Sequence, residues 1–147
     1  MTVSSVMDIR FGRTLPVVAA ALATVGCSAH RSSFGDDADT ICERAIAAAA
    51  TMARTGPTGD SRSDAFRRFI ERRASALTDL HGLTPPPENA EGVARMLAYF
   101  DQSQRLLREA TRVSGERSVG IVIAAAAEGR KGQAVARRLG LDDCAHF

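Results

Sequence analysis

Residues able to do chemistry are few in this chain, and they are scattered. The three histidines are His30, His81 and His146. None forms a His-x-x-x-His or Glu-x-x-His pair, and there is no Cys-x-x-Cys, so neither a zinc site nor a di-iron carboxylate site is signalled. No Gly-x-Ser-x-Gly elbow is present to raise a nucleophilic serine. Gly115-Glu-Arg-Ser-Val-Gly120 has the glycine spacing of a phosphate loop. Ile121 and Val122 stand where Lys and Ser/Thr are needed, so the phosphate-binding charge and the metal-binding hydroxyl are both missing. The segment reads as a turn followed by a small residue for close helix packing. Gly129 and Gly132 read the same way. No catalytic, cofactor-binding or metal-binding residue is assigned, and no enzyme activity or cofactor is expected.

The cysteines are more informative. Cys27 closes an apolar run, while Cys42 and Cys144 bracket everything that can fold. Arg10 and Arg13 precede the twelve uncharged residues Leu15–Gly26. A basic segment followed by an apolar stretch of about 7–15 residues is a signal peptide rather than a span, since crossing a bilayer takes roughly 20 apolar residues. The later run Val119–Ala127 is too short and contains Gly120. Gly26-Cys27 resembles a bacterial lipobox, in which cleavage exposes a cysteine that then carries lipid. Thr24 stands where that motif has leucine. The expected division is signal peptide 1–26, lipid-anchored tether 27–37 and helical domain 38–147. Cleavage near Ala29 and free secretion is the alternative, and Met7 is a second possible start.

If lipid occupies Cys27, the other two cysteines have one possible pairing in an oxidising compartment. Cys42–Cys144 would close a loop of about 100 residues, for which the chain-entropy model gives roughly 4–5 kcal/mol. The whole chain has 19 basic and 17 acidic residues; removing Arg10, Arg13 and Asp8 leaves a net charge of +1. Lys131 is the only lysine, Tyr99 the only tyrosine, and Trp is absent. Large aromatic platforms are therefore scarce, and the core must be built from Ala, Leu, Ile, Val and some Phe.

Apolar residues recur at helical spacing in four segments. The first runs from about Asp39 to Arg54, with Thr40-Ile-Cys-Glu43 as a capping box and Ile41, Ala45, Ala48 and Met52 on one face. Thr55–Asp60 ends it. The second runs from about Ser63 to His81 after the start signal Ser61-Arg-Ser-Asp64; its stripe is Phe66, Phe69, Ile70, Ala74, Leu77 and Leu80. Gly82-Leu-Thr-Pro-Pro-Pro87 stops it. The third spans about Glu88–Val113 with Val93, Met96, Leu97, Phe100 and Leu107 inward. Its outer pairs are Glu91/Arg95 and Asp101/Arg105. The fourth spans about Glu116–Leu139 and closes on Gly140. No segment alternates with period two. The fold class is all-α: a four-helix up-down-up-down bundle closed by one disulfide.

Helix number and disulfide support each other. Short loops make successive helices antiparallel, so four helices return the chain to its starting end and set Cys42 beside Cys144. Three or five helices would separate them by about 30 Å, against the roughly 4.4–6.8 Å between Cα atoms that a disulfide allows. The tether leaves from that same end, so the opposite end faces away from the membrane.

A lipobox-like cysteine, an early-helix cysteine, Leu83-Thr-Pro-Pro-Pro87 and the closing Leu139-Gly-Leu-Asp-Asp-Cys144 together resemble small predicted lipoproteins of actinobacteria. The resemblance covers most of the mature chain. It implies an envelope-located helical domain and carries over no catalytic residue.

Arg62, Arg67, Arg68, Arg72 and Arg73 crowd the second helix, with Asp64 and Glu71 between them. They read as an ion-paired, solvated face, or as a contact for an anionic surface. Export leaves nucleic acid out of reach. His81, at a helix C-terminus, suits the dipole. At 100° per residue, Arg73, Gln104 and Glu128 fall inside their apolar stripes. The sharper expectation is a partly buried Arg73–Glu128 pair with Gln104 nearby, forming a candidate polar core; the blander one is that all three reach solvent at the stripe edge. The function expected is an envelope lipoprotein, monomeric, presenting a helical module to an envelope protein or wall polymer. The alternative is a bundle that binds a small ligand at the polar core.

Overall fold

The computed structural model describes residues 33–54 and 61–147. The signal peptide, Cys27, His30 and the turn expected at 55–60 lie outside the described residues. Among the described residues there are four α-helices, two 3₁₀ turns and no strand. The helices are α1 (Phe34–Arg54), α2 (Ser61–His81), α3 (Ala90–Ala110) and α4 (Gly115–Leu139); the turns are Pro87–Asn89 and Cys144–His146.

α1 begins earlier than its apolar stripe suggests. Ser33 and Asp36 cap it reciprocally: the Asp36 N–H donates to Ser33 Oγ at 3.1 Å, and the Ser33 N–H donates to Asp36 Oδ2 at 3.1 Å. That exchange satisfies two amides the first turn leaves without partners. Residues 34–37, read as tether, are helical. Thr40, read as the cap, lies inside the helix and its hydroxyl donates back to the Asp36 carbonyl at 2.7 Å.

The other helix ends follow local chemistry. The Gly82 N–H closes α2 on the Thr78 and Asp79 carbonyls, both at 3.1 Å, and the prolines beyond cannot continue the ladder. α3 starts after the Pro87–Asn89 turn and stops at Ala110, shorter at both ends than expected. At the end of α4, Gly140 takes φ +71°. The Gly140 N–H then reaches the Arg137 carbonyl and the Leu141 N–H reaches the Ala136 carbonyl, the two bonds of a Schellman cap.

Packing is uneven. α3 and α4 form the tightest pair. A Cβ on Gly92 would meet Leu139, one on Gly129 would meet Ser103, and one on Gly132 would lie 2.5 Å from the Phe100 ring. Ser118 Oγ donates to the Ala110 carbonyl at 3.1 Å. One index falls as the other rises, so α3 and α4 are a hairpin. α1 packs on α2, α2 on α3, and α1 also touches the Cys144–His146 turn. Among the described residues, neither α1 nor α2 packs closely along α4.

The main core lies at the cysteine end, where Ala38, Cys42, Leu77, Leu80, Val93, Met96, Phe100, Val135, Ala136 and Cys144 are buried together. Each fully buried large side chain contributes about 1.5–3 kcal/mol. The second cluster holds only Ile70, Leu107 and Ala125 as fully buried members. Cys42 and Cys144 form the disulfide, with Cα atoms 5.1 Å apart and 102 residues between them in sequence. All five residues expected inward on α3 (Val93, Met96, Leu97, Phe100 and Leu107) are buried.

Candidate functional site

Arg73 and Gln104 are buried, as their stripe positions predict. Arg73 is 7% exposed. Its Nη1 donates to the main-chain oxygen of Phe147 at 2.7 Å. Its guanidinium lies 4.2 Å from the centre of the Phe147 ring and 5.5 Å from that of Phe100, and the two rings meet edge to face at 5.0 Å. These are favourable cation–π placements. Nε has no hydrogen-bond partner. Burial lowers the Arg73 pKa to about 10, because removing a charge from water favours its neutral form. Gln104 Nε2 donates to the Ile70 carbonyl at 2.8 Å and ties α3 to α2, while its Oε1 is buried without a partner.

Glu128 does not join them, and the expected Arg73–Glu128 pair is not formed. The α4 face that meets the core is carried by Ala125, Gly129, Gly132 and Ala136. One residue of helix is a turn of about 100°, which rotates Glu128 off that face. Its carboxylate pairs instead with Lys131 on the same helix at 2.7 Å. Lys131 Nζ sits 5.7 Å from the Tyr99 ring centre, and its pKa is raised, first by the hydrogen bond to Glu128.

Two openings meet at Arg73. One, of ≈ 210 Å³, lies against Ala45, Ile46 and Ala49 of α1, with Phe69 and Arg72 of α2. The other, of ≈ 320 Å³, lies between α2 and α4, over Ser103 and Leu107 of α3 and beside Val122, Ala125 and Ala126. Phe69, Arg73 and Phe147 line both. The second opening lies where α4 lacks a close neighbour.

The same gap leaves α4 apolar toward solvent. Val119 and Ile123, one turn apart, are 59% and 63% exposed. Around them, residues 105–123 carry Arg105, Arg108, Arg112 and Arg117 against Glu109 and Glu116, all of them exposed. Gly120 has open space where a Cβ would stand, so the close packing expected of it is not formed; Gly132 is the glycine that packs tightly. Gly115, the first residue of α4, has φ +66° and supplies the left-handed conformation at the turn into the helix.

The α2 arginines divide. Arg73 is interior, Arg67 pairs with Asp64 at 2.7 Å, and Arg68 and Arg72 are exposed. His81 reaches across to Asp101 of α3 at 3.0 Å. That contact replaces the expected Asp101/Arg105 pair, and Arg105 bonds Gln102 instead. The Glu91–Arg95 pair forms. Among the described residues, no group of three or more His, Cys, Asp or Glu is placed to hold a metal ion, and no helix is long and apolar enough to cross a membrane.

Phe147 and Asp39 contribute what sequence reading missed. Phe147 stacks on Arg73. The carboxylate of Asp39 accepts the main-chain N–H groups of Asp142, Asp143 and Cys144. No short motif marks either residue. Compared with protein-family models, curated proteins and solved structures, the chain matches none.

Proposed function

We propose that this protein is an exported helical module that docks an envelope protein. It is tethered to the outer face of the cytoplasmic membrane by lipid on Cys27 after removal of residues 1–26. The module is an up-down-up-down bundle. Support for that topology is the joining of Cys42, early in α1, to Cys144, just past α4. Support for export is the same disulfide, because such bonds persist in oxidising compartments. Cys27 is then the one cysteine left for lipid, placed directly behind an uncharged apolar run.

The observation that carries the docking reading is the exposure of Val119 and Ile123. They lie at the end opposite the disulfide, where the core is thinnest. Large apolar groups held in water beside one another favour a partner that covers them. The arginine excess around them selects a partner whose apolar contact is flanked by acids. An anionic wall polymer would engage the arginines but leave both apolar side chains without a role, so the partner is an envelope protein. The module itself is a monomer and carries no catalytic function.

A photo-crosslinking residue at position 123 tests this, with position 98, exposed on α3, as the control. The expected result is one protein adduct from position 123, contributed by an acidic and apolar segment, lost on Val119→Glu and not formed from position 98. Equal labelling from both positions, or phospholipid adducts alone, would overturn it.

A further inference from the structure

We infer that the docking partner presents an α-helix, which lies lengthwise on α4 with its apolar side chains in the opening between α2 and α4. This form of docking rests on the reading of α4 proposed above and names what the partner brings to it. Three observations carry it.

The first is the extent of the open face. At 100° per residue, Val119, Val122, Ile123, Ala126, Arg130 and Gln133 fall within an arc of about 100° and run for about 20 Å along α4. Val119 and Ile123 are large and exposed. Ala126 and Arg130 are exposed, and Val122 and Gln133 are half-buried. Val122, Ala126, Arg130 and Gln133 also line the opening of ≈ 320 Å³ between α2 and α4. The exposed pair and the opening are therefore one continuous surface. Neither α1 nor α2 packs closely along it. A stripe of this width is what a helix turns toward a neighbouring element.

The second is backbone accounting. Among the described residues there is no strand, so this face offers no free ladder of N–H and C=O groups to an extended segment. A segment laid on helix side chains has to satisfy its own backbone where water is excluded. A helix does so, and its ridges fit the grooves between the side-chain rows of α4. Gly129, at the floor of the opening, leaves room for the anchoring side chains of such a helix.

The third is charge. The walls carry Arg72 on α2 and Arg130 on α4. Both are exposed, and no described carboxylate pairs with either. No Asp or Glu lines either opening. The helix that fits has an apolar ridge between acidic flanks. A second copy of this chain, offering the same face, would set arginine against arginine and is not the occupant.

Photo-crosslinking from the full chain in the envelope, at positions 119, 123, 126 and 133 in turn, tests the inference when the labelled partner residues are mapped by mass spectrometry. The expected result is adducts with one protein from all four positions, joined to residues three or four apart in a segment rich in Asp and Glu. Arg130→Glu changes an exposed side chain without an ion pair, so the fold survives it; the yield from position 123 should fall by about threefold or more. Adducts from positions 119 and 123 alone would overturn the helix and leave the docking reading standing. Labelled residues two apart, the period of an extended strand, would do the same, as would an unchanged yield in Arg130→Glu. Adducts joining two copies of the chain, or no adduct from any position, would overturn both.

Discussion

Cys144 is held to α1 twice: its main-chain N–H by the carboxylate of Asp39, in the second turn of the helix, and its sulfur by Cys42, three residues further along. Asp39 Oδ1 accepts the N–H groups of Cys144 and Asp143 at 3.2 and 3.0 Å, and Oδ2 accepts that of Asp142 at 3.1 Å. The carboxylate thus caps the turn that follows α4 from a helix 105 residues earlier. Asp39→Ala should cost about 1–2 kcal/mol, as for a lost cap. Asp39→Asn, which keeps one carbonyl oxygen, should cost about half as much. Urea unfolding of the oxidised variants measures both; equal stability of Asp39→Ala and wild type would show that the disulfide alone positions this turn.

Two glycines of α4 should respond to alanine with opposite signs. At Gly132 a Cβ would lie 2.5 Å from the Phe100 ring, which is itself packed against Phe147 and Arg73. Gly132→Ala should destabilise by about 1–3 kcal/mol through overpacking. At Gly120 nothing stands in the way, and Gly120→Ala should stabilise by about 0.5–1 kcal/mol by restricting the unfolded chain and raising helix propensity. Denaturant midpoints of the two variants decide this.

Arg73→Met should cost about 1–3 kcal/mol at neutral pH, because it removes the hydrogen bond to the Phe147 main-chain oxygen and the contacts with the Phe100 and Phe147 rings. Replacing a buried charge by an apolar side chain is neutral only where its partner goes with it; here the Phe147 oxygen stays behind without its donor. The pH dependence has a definite sign. Folded Arg73 loses its proton near pH 10, and unfolded Arg73 only at a distinctly higher pH. Between those values the unfolded state binds more protons, so the Arg73 contribution to stability rises with pH. Below about 10 both states hold the proton and the burial penalty is constant. The stability difference between wild type and Arg73→Met should therefore be flat from neutral pH to about 9 and move in favour of wild type above about 10.

The parts of the fold legible in the sequence are those fixed by local spacing. Val93, Met96, Leu97, Phe100 and Leu107 recur at helical intervals, and all are buried. Gly140 follows the last periodic residue of α4 and supplies the left-handed cap. The cysteine positions anticipated a join that the chain makes. The start of α1 was hidden because Ser33 and Asp36 sit in a polar stretch that reads as tether until their mutual hydrogen bonds are seen. Glu128 was misplaced because α4 turns its glycine and alanine face, not its larger residues, to the core. The site itself depends on a tertiary event with no local signature: Phe147 folds back over Arg73, which then has two aromatic rings and the Phe147 main-chain oxygen for company.

Export is what the disulfide, the tether and the docking face all presuppose. The most direct measurement is the intact mass of the protein recovered from the envelope of cells expressing the full chain. The expected species begins at Cys27, carries lipid on that residue, and is lighter by the two hydrogens of a Cys42–Cys144 bond. A species that retains Met1–Gly26, with Cys42 and Cys144 both as free thiols, would contradict it.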